Sequence, residues 1–471
     1  MVEITQGRSP AFAVNGNAAF LLRRRHKVSL TVPFEPDADP GIVAAFRAAH
    51  LKKILSQKEI FIPIPIPSSR CGGVSVNQAL ISLRQASIDW RLVLMGAVLV
   101  AVALIFNLLS GGIFLSPENL YNIAQQTAVV GIVSTVVVLV IVARHIDLSV
   151  GSVMGFVGVL IATLMYTAGW HWVEAALAGL AVSIAVCLYQ GALTAVLGVP
   201  SFVVTLGGLM SFRGAAFLVA DGKTQPVSDA FFQRLGGGFD GAIGVEASWV
   251  LAALMSIALM AVSLNRRAAK QSYGVLNNPL WVDGLTALVP ILILLAFTAA
   301  MNAYRIPSKD APQGIPIPVL IWAVVAFALS FLVHRTRFGR YVFAMGGNPE
   351  AAALVGIPVR RVTLMLFALM GVLITVAAMV SIARLNAGTN SLGTSMELYV
   401  IAAAVIGGTA LSGGSGSILG SVLGALIMQS IDSGMLLLDV SIGWRYVIIG
   451  QVLIIAVVFD VLYRKLTGDT A

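Results

Sequence analysis

The sequence predicts an all-α fold: a polytopic transmembrane bundle of about 10–12 membrane segments, some of them broken or re-entrant. Its composition is the first reason, because 58% of the 471 residues are hydrophobic and only 11% are charged. Soluble domains carry roughly 25% charged residues, so this chain lacks the polar residues to cover a globule in water. Apolar runs of about 20 residues, long enough to cross a bilayer as a helix, are the second reason. A water-soluble enzyme is therefore excluded.

Charge divides the chain into three predicted parts. Residues 1–89 hold 17 of the 51 charged residues and form a polar tail, expected to be flexible or to result from a misassigned start. A basic cluster at 23–27 has no apolar segment after it, so a secretion signal is not indicated. Residues 90–466 form the predicted transmembrane domain, and 467–471 form a short cytoplasmic tail.

The apolar runs define twelve candidate spans. Continuous runs of this kind do not fit the alternating pattern of a membrane β-barrel. The tenth run is short and leads into a glycine-rich break, so we expect a half-length or re-entrant element there. The predicted spans are 91–110, 124–143, 150–168, 173–197, 201–220, 248–264, 281–301, 318–333, 362–383, 398–412, 417–438 and 445–463.

The basic residues predict the orientation of these spans. Loops 265–280 and 334–361 are strongly basic and should face the cytoplasm, whereas loops 111–120, 221–247 and 302–317 have little positive charge and should lie outside. Twelve crossings then place both ends of the membrane domain in the cytoplasm. We therefore attribute the net charge of +9 to the orientation of the chain in the lipid membrane and predict no nucleic-acid partner.

A polar segment interrupts the apolar stretch between 124 and 168. It contains Asp147, Ser149 and Ser152, whose side chains can accept hydrogen bonds from free N–H groups at a helix start. One interpretation is a capped, broken helix. The other places the break in a translocation path, because non-helical backbone at membrane depth is tolerated only beside protein or water.

Isolated polar residues in other apolar segments extend this second interpretation. Ionisable groups in lipid are costly unless they are paired or hydrated, although several here lie near a predicted interface where the side chain can reach water. The complete candidate path consists of Asp147, Ser149, Ser152, Arg213, Glu397 and Thr409.

The largest basic loop contains the pattern of a two-turn helix. Asn348 can cap it, Pro349 suits its first position, Glu350 lies in its first turn and Gly356 ends it. Such a helix is either a lid over the bundle or a docking element for a soluble partner.

A glycine-rich segment follows at 407–417. It contains no lysine, so it is not a phosphate-binding P-loop. Gly416, Gly420 and Gly424 would lie on one helical face, which favours close helix packing or a hinge. The five histidines are scattered, and neither a catalytic constellation nor a metal or other cofactor site is predicted.

Several of these motifs occur together in one known family. They are IDLSVGS at 146–152, PSFVVTL at 200–206, FRG at 212–214, the run 337–357 and IAAAVIGGT at 401–409. The chain resembles, over about 88–466, the permease subunit of bacterial ABC-type monosaccharide importers of the ribose, xylose and arabinose branch. The additional hydrophobic segments at 248–301 resemble those of its xylose-type members.

The resemblance implies a permease in the cell inner membrane, without enzymatic activity of its own. It would pair with a second copy, with cytoplasmic ABC ATPase subunits that hydrolyse ATP, and with a periplasmic sugar-binding protein. The short helix would resemble the helix that couples the permease to its ATPase, which favours docking over a lid. The residues carried over to it are Gly346, Gly347, Asn348, Glu350, Ala351, Ala352, Leu354, Gly356 and Ile357.

Two features set this chain apart from the family pattern. Arg144 and His145 precede the IDLS motif where many relatives have glycine or glutamate, and the tail 1–89 has no counterpart. The sequence thus predicts an ATP-driven importer of a monosaccharide, D-xylose or a related pentose. An ion-coupled secondary transporter is the alternative, with Asp147 and Glu397 as its candidate carboxylates. A membrane enzyme acting on lipid is a third possibility, without clustered acids or histidines to support it.

Overall fold

A computed structural model describes residues 90–238, 240–272, 280–306 and 311–467. The predicted tail 1–89 and residues 468–471 lie outside this described part. The chain there forms fifteen helices and four two-residue strands. The helices are α1 (Trp90–Leu109), α2 (Pro117–Val142), α3 (Val150–Tyr166), α4 (Trp172–Ala195), α5 (Ser201–Val219), α6 (Ala230–Arg234), α7 (Val245–Ser272), α8 (Leu280–Ala303), α9 (Ile317–Arg335), α10 (Arg337–Gly347), α11 (Pro349–Leu354), α12 (Val359–Leu385), α13 (Met396–Ile406), α14 (Ile418–Leu437) and α15 (Ile442–Thr467).

Ten of the described helices are long and apolar enough to cross a membrane. Helices α3 and α13 are apolar but shorter, so each of the twelve predicted spans has a helical counterpart. The prediction of an all-α polytopic bundle is confirmed. The short tenth element is also confirmed, since α13 has only 11 residues and would extend about 16 Å as a helix.

Helix α2 lies at the centre of the bundle. Nearly all its 26 residues are buried, which fits a helix that is hydrophobic on every side. Helices α9, α12, α13 and α14 pack around it. The rim helices α1, α5, α7 and α15 instead expose rows of large apolar side chains, as helices that contact lipid do.

The short strands lie together at one end of the bundle, which we call the strand end. β1 (Gln225–Pro226) pairs antiparallel with β4 (Ala387–Gly388), and β2 (Arg305–Ile306) pairs with β3 (Ala311–Pro312). An isolated bridge between Ala242 and Pro316 joins the loop that contains β1 to the loop that contains β2 and β3. The loops 221–247 and 302–317, both predicted to lie outside, therefore share one end.

The opposite end is packed through glycine, and we call it the glycine end. Three segments pack there with their backbones in direct contact: the α10–α11 junction, the end of α2 and the loop 407–416. A Cβ atom on Gly346 would run into the carbonyl oxygen of Val142. The Gly414 N–H donates to that same oxygen at 2.9 Å.

The predicted close packing of glycines is found between α13 and α14. Cβ atoms on Gly420 and Gly424 would strike the backbone of Gly407 and Ala403. The prediction for Gly416 was wrong in one respect, because α14 begins only at Ile418. Gly416 therefore belongs to the preceding loop and not to the helical glycine row.

Candidate translocation site

The connection between α2 and α3, residues 143–149, has no helical structure and is held by side chains. Asp147 Oδ1 accepts hydrogen bonds from the Ser149 N–H at 2.6 Å and from the Ser149 hydroxyl at 2.7 Å. Ser201 and Thr205 of α5 accept the Ile146 and Leu148 N–H groups at 3.0 and 3.1 Å. Protein side chains thus satisfy the Ile146, Leu148 and Ser149 N–H groups of this break, as backbone at membrane depth requires.

A second non-helical segment, residues 386–395, runs along α3. Its ends are marked by Asn386 and Ser395, both with left-handed backbone. Added Cβ atoms on Gly151 and Gly155 of α3 would strike the carbonyl oxygens of Gly393 and Leu392 respectively. Because these α3 positions are glycine, the backbone of the segment can pack directly against the backbone of α3.

Arg213 of α5 fixes this second segment. Its guanidinium donates to the carbonyl oxygens of Asn390, Leu392 and Gly393 at 3.4, 3.0 and 3.2 Å, and to the Thr394 hydroxyl at 3.0 Å. Bonds from a charged donor are stronger than neutral ones. Arg213 thus positions the segment and does not merely reach towards a membrane interface.

Glu397 lies where the two non-helical segments meet. Its carboxylate is next to Gly151, and it interacts electrostatically with Arg213 and with Asp147. Asp147 Oδ2, Ser152 Oγ and Glu397 Oε2 are buried, and none has a hydrogen-bond partner within the described part of the chain. Buried polar atoms are usually paired, so these three oxygens mark the region as a candidate site for water or a ligand.

Most of the predicted path is therefore brought together. The two segments and the helices beside them gather Asp147, Ser149, Ser152, Arg213 and Glu397 into one region, which we call the polar cluster. Gln190 of α4 belongs to it as well, because its amide donates to the Ser149 hydroxyl at 3.0 Å. Thr409 is not part of it: it is buried beside Gly416 at the glycine end. The roles of all six in translocation remain predictions.

A cavity of about 290 Å³ lies between this region and the strand end. The segment 389–394 forms one wall, and Met154 with Met396 forms another part. The remaining polar lining comes from side chains that the sequence did not assign to the path, namely Gln126, Ser381, Arg384, Tyr399, Gln429 and Asp432. Helices α2, α12, α13 and α14 supply them.

Four of these wall residues, Gln126, Tyr399, Gln429 and Asp432, form a hydrogen-bonded network with Arg445 of α15. Asp432 accepts from the Tyr399 hydroxyl at 2.8 Å and from the Arg445 guanidinium at 2.7 Å. The side-chain amide of Gln429 donates to Oε1 of the Gln126 side chain at 2.5 Å. Asp432 and Arg445 are isolated charges in apolar segments of the sequence, but the predicted path does not include them. The amides in apolar spans are a further signal that could have indicated this network.

The short helix α11 has the predicted geometry. Asn348 Oδ1 accepts from the Ala351 N–H at 3.0 Å, and Pro349 occupies the first position. Gly356 adopts φ 85°, as a residue that ends a helix often does. Leu354 and Val355 are exposed at its tip, 89% and 77% respectively. Exposed apolar side chains on a capped helix suit contact with a partner.

Known proteins resemble the chain along most of its length. The family described as "Branched-chain amino acid transport system / permease component" matches residues 119–457. The chain belongs to this permease family. The xylose transport system permease protein of Escherichia coli K12 is 36% identical to this permease over 376 residues, which cover 79% of this chain and 92% of the relative.

Two further relatives support the same family. The ribose import permease protein of E. coli K12 is 29% identical over 77% of this chain and 91% of its own length. The L-arabinose ABC transporter permease protein of Azospirillum brasilense is 28% identical over 83% of this chain and 94% of its own length. No solved structure matches the permease. It is a multi-pass membrane subunit of a transport system and is not itself an enzyme.

Proposed function

We propose that this permease carries a monosaccharide, D-xylose or a related pentose, across the inner membrane as the transmembrane subunit of an ATP-driven importer. The observation that carries the proposal is the polar cavity next to the polar cluster. The relatives from E. coli and A. brasilense support the substrate, since their names describe permeases for xylose, ribose and arabinose.

The chemistry of the cavity favours a sugar over a branched-chain amino acid. Its wall offers amide, hydroxyl, carboxylate and guanidinium groups, which can both donate to and accept from a polyhydroxylated ligand. An aliphatic amino-acid side chain would leave many of these groups without partners, at a cost in binding. The cavity volume of about 290 Å³ lies close to the lower limit of about 300 Å³ for ligand pockets, so it would suit only a small ligand such as a monosaccharide.

The orientation and the partners are part of the same proposal. The basic residues near α10 and α11 support a cytoplasmic glycine end, where α11 would dock on an ABC ATPase subunit. The strand end would then face a periplasmic sugar-binding protein. The family resemblance supports a second copy as the membrane partner. Both termini of the membrane domain would be cytoplasmic, with 1–89 as a tail.

Reconstitution tests this proposal directly. The permease would be purified with its ATPase and binding protein, placed in liposomes and supplied with ATP inside the vesicles on the ATPase side. We expect accumulation of radiolabelled xylose above its external concentration only when ATP and all subunits are present. Accumulation by the permease alone, driven by an imposed proton or sodium gradient, would contradict the proposal and support the ion-coupled alternative.

A further inference from the structure

Arg144 occupies a backbone position that ordinarily suits glycine. Helix α2 ends with two crossed hydrogen bonds, from Arg144 N–H to Ile141 C=O and from His145 N–H to Val140 C=O, both 2.9 Å long. This is a Schellman motif, and its left-handed residue is usually glycine. Arg144 has φ 65°, an unfavourable value for a long side chain. A strained residue that persists suggests that its side chain has a task.

The side chain reaches the junction before the proposed docking helix. Its Nε donates to the Gly346 carbonyl at 2.7 Å, and an Nη donates to the Gly347 carbonyl at 2.6 Å. These are the last two residues of α10, whose final carbonyls lack partners within the helix. A cation at a helix C-terminus is also favourable electrostatically. Arg144 therefore ties the α10–α11 junction to the end of α2.

The same connection leads directly to the polar cluster. Only two residues separate Arg144 from Asp147. Side chains of α5 hold the backbone on both sides of Asp147, through Ser201 to the Ile146 N–H and Thr205 to the Leu148 N–H. A Cβ atom on Gly413 would meet the Arg144 side chain, so the glycine loop allows little sideways movement. The backbone between Arg144 and Asp147 therefore has little freedom to move independently of its neighbours.

We propose that Arg144 is a positioning residue that transmits movement of α11 to the connection 143–149, and so to Asp147 and Ser149. This inference rests on the proposed function, in which the ATPase moves α11. Two charge-assisted bonds and a short, side-chain-held backbone make the linkage stiff. Removing the guanidinium should leave the ATPase docked and active while its movement no longer reaches the translocation site.

Arg144→Gly provides a sharp test because glycine suits the left-handed backbone. A purely structural role predicts a lower melting temperature, because two charge-assisted hydrogen bonds are lost, with an unchanged ratio of sugar transported to ATP hydrolysed. Our proposal predicts about a tenfold lower ratio, whereas the relief of backbone strain by glycine limits the fall in melting temperature. Arg144→Lys keeps one cationic donor and should recover part of that ratio. Arg266→Ala removes an exposed arginine elsewhere and should leave the ratio unchanged.

Wild-type proteoliposomes separate the two proposals. If wild type shows no ATP-driven uptake, the proposed function fails. If wild type does show ATP-driven uptake, two results for Arg144→Gly would overturn the inference alone. One is a wild-type ratio of sugar transported to ATP hydrolysed, and the other is a joint loss of transport and ATPase activity.

A spin-label measurement tests the linkage without any partner subunit. Labels at Leu197→Cys and Leu354→Cys, both exposed sites, would report the distance between the α4–α5 loop and α11, with Cys71 and Cys187 replaced. We expect a narrow distance distribution with Arg144 and one about twice as broad in Arg144→Gly. Equal widths would overturn the inference.

Discussion

The two ends of the bundle are packed in different ways. At the glycine end, helix termini and loops touch through backbone, and an added Cβ atom at Gly346 or Gly420 would collide with a carbonyl group. Towards the strand end, polar side chains surround a cavity. Close-packed interfaces move as units, whereas a lined cavity can admit a ligand. This difference fits the proposed function, in which one end receives force from an ATPase and the other accommodates the solute.

An arginine fixes the backbone in each half in the same chemical way. Arg144 donates to carbonyl groups at the glycine end, and Arg213 donates to carbonyl groups of the segment 389–394 beside the cavity. Arg144 joins two rigid elements, whereas Arg213 holds one wall of the cavity. Substitutions should therefore separate transmission of movement from passage of the solute.

The largest expected effect is at Gly346. In Gly346→Ala, the new methyl group would meet the Val142 carbonyl, so the α10–α11 junction must move away from α2. We expect a loss of stability of about 3 kcal/mol and no measurable uptake. Melting temperature in detergent and uptake in proteoliposomes provide the measurements. Gly347→Ala is the matched control, because an added Cβ there meets nothing within 4 Å. Equal behaviour of the two variants would contradict backbone packing at this end.

Arg213→Ala should have the next largest effect. The segment 389–394 would lose four hydrogen bonds from a charged donor. Three of them share one guanidinium nitrogen, so we count the loss as about two charge-assisted bonds, about 3 kcal/mol or roughly a hundredfold in the population of the ordered wall. We expect a comparable fall in uptake rate. Arg213→Lys should recover part of it, and Arg234→Ala, at an exposed site, should have no effect. Normal uptake in Arg213→Ala would show that the wall does not need this anchor.

Local signals in the sequence predicted much of this architecture. Long apolar runs predicted the spans, and Asp147 with Ser149 predicted the break before α3, because caps and hydropathy act over a few residues. The capped helix α11 was predictable for the same reason. Gly416 was assigned to a helix because periodicity alone does not show where α14 begins.

Contacts between distant parts of the chain were not predictable in this way. Arg213 and Gly393 are 180 positions apart, and Gln126 and Gln429 are 303 apart. Hydropathy shows that Asp432 lies in an apolar helix but not whether it faces lipid, an interface or a cavity. The cavity wall depends on how four helices assemble, which no single segment encodes.

Asp432→Asn should weaken passage through the cavity without unfolding the bundle. The change keeps the size of the side chain but removes the charge that accepts from Tyr399 and Arg445. Hydrogen bonds to a charged group contribute about 1.5 kcal/mol or more, so we expect about a tenfold lower uptake rate. Initial rates at saturating binding protein measure this. Asp439→Asn is the control, since Asp439 is exposed and asparagine tolerates its left-handed backbone. Equal rates in both variants would remove Asp432 from the path.

The smallest expected effect is at the cap of α11. Asn348→Ala removes the oxygen that accepts the Ala351 N–H, at a cost of about 1 kcal/mol. If the ATPase binds only the folded helix, its affinity for the permease should fall about fivefold. Titration of the ATPase against permease in nanodiscs measures this affinity. Asn348→Ser retains a capping oxygen and should bind as wild type does. A loss of the same size in both variants would mean that the asparagine itself, and not the helix it caps, contacts the partner.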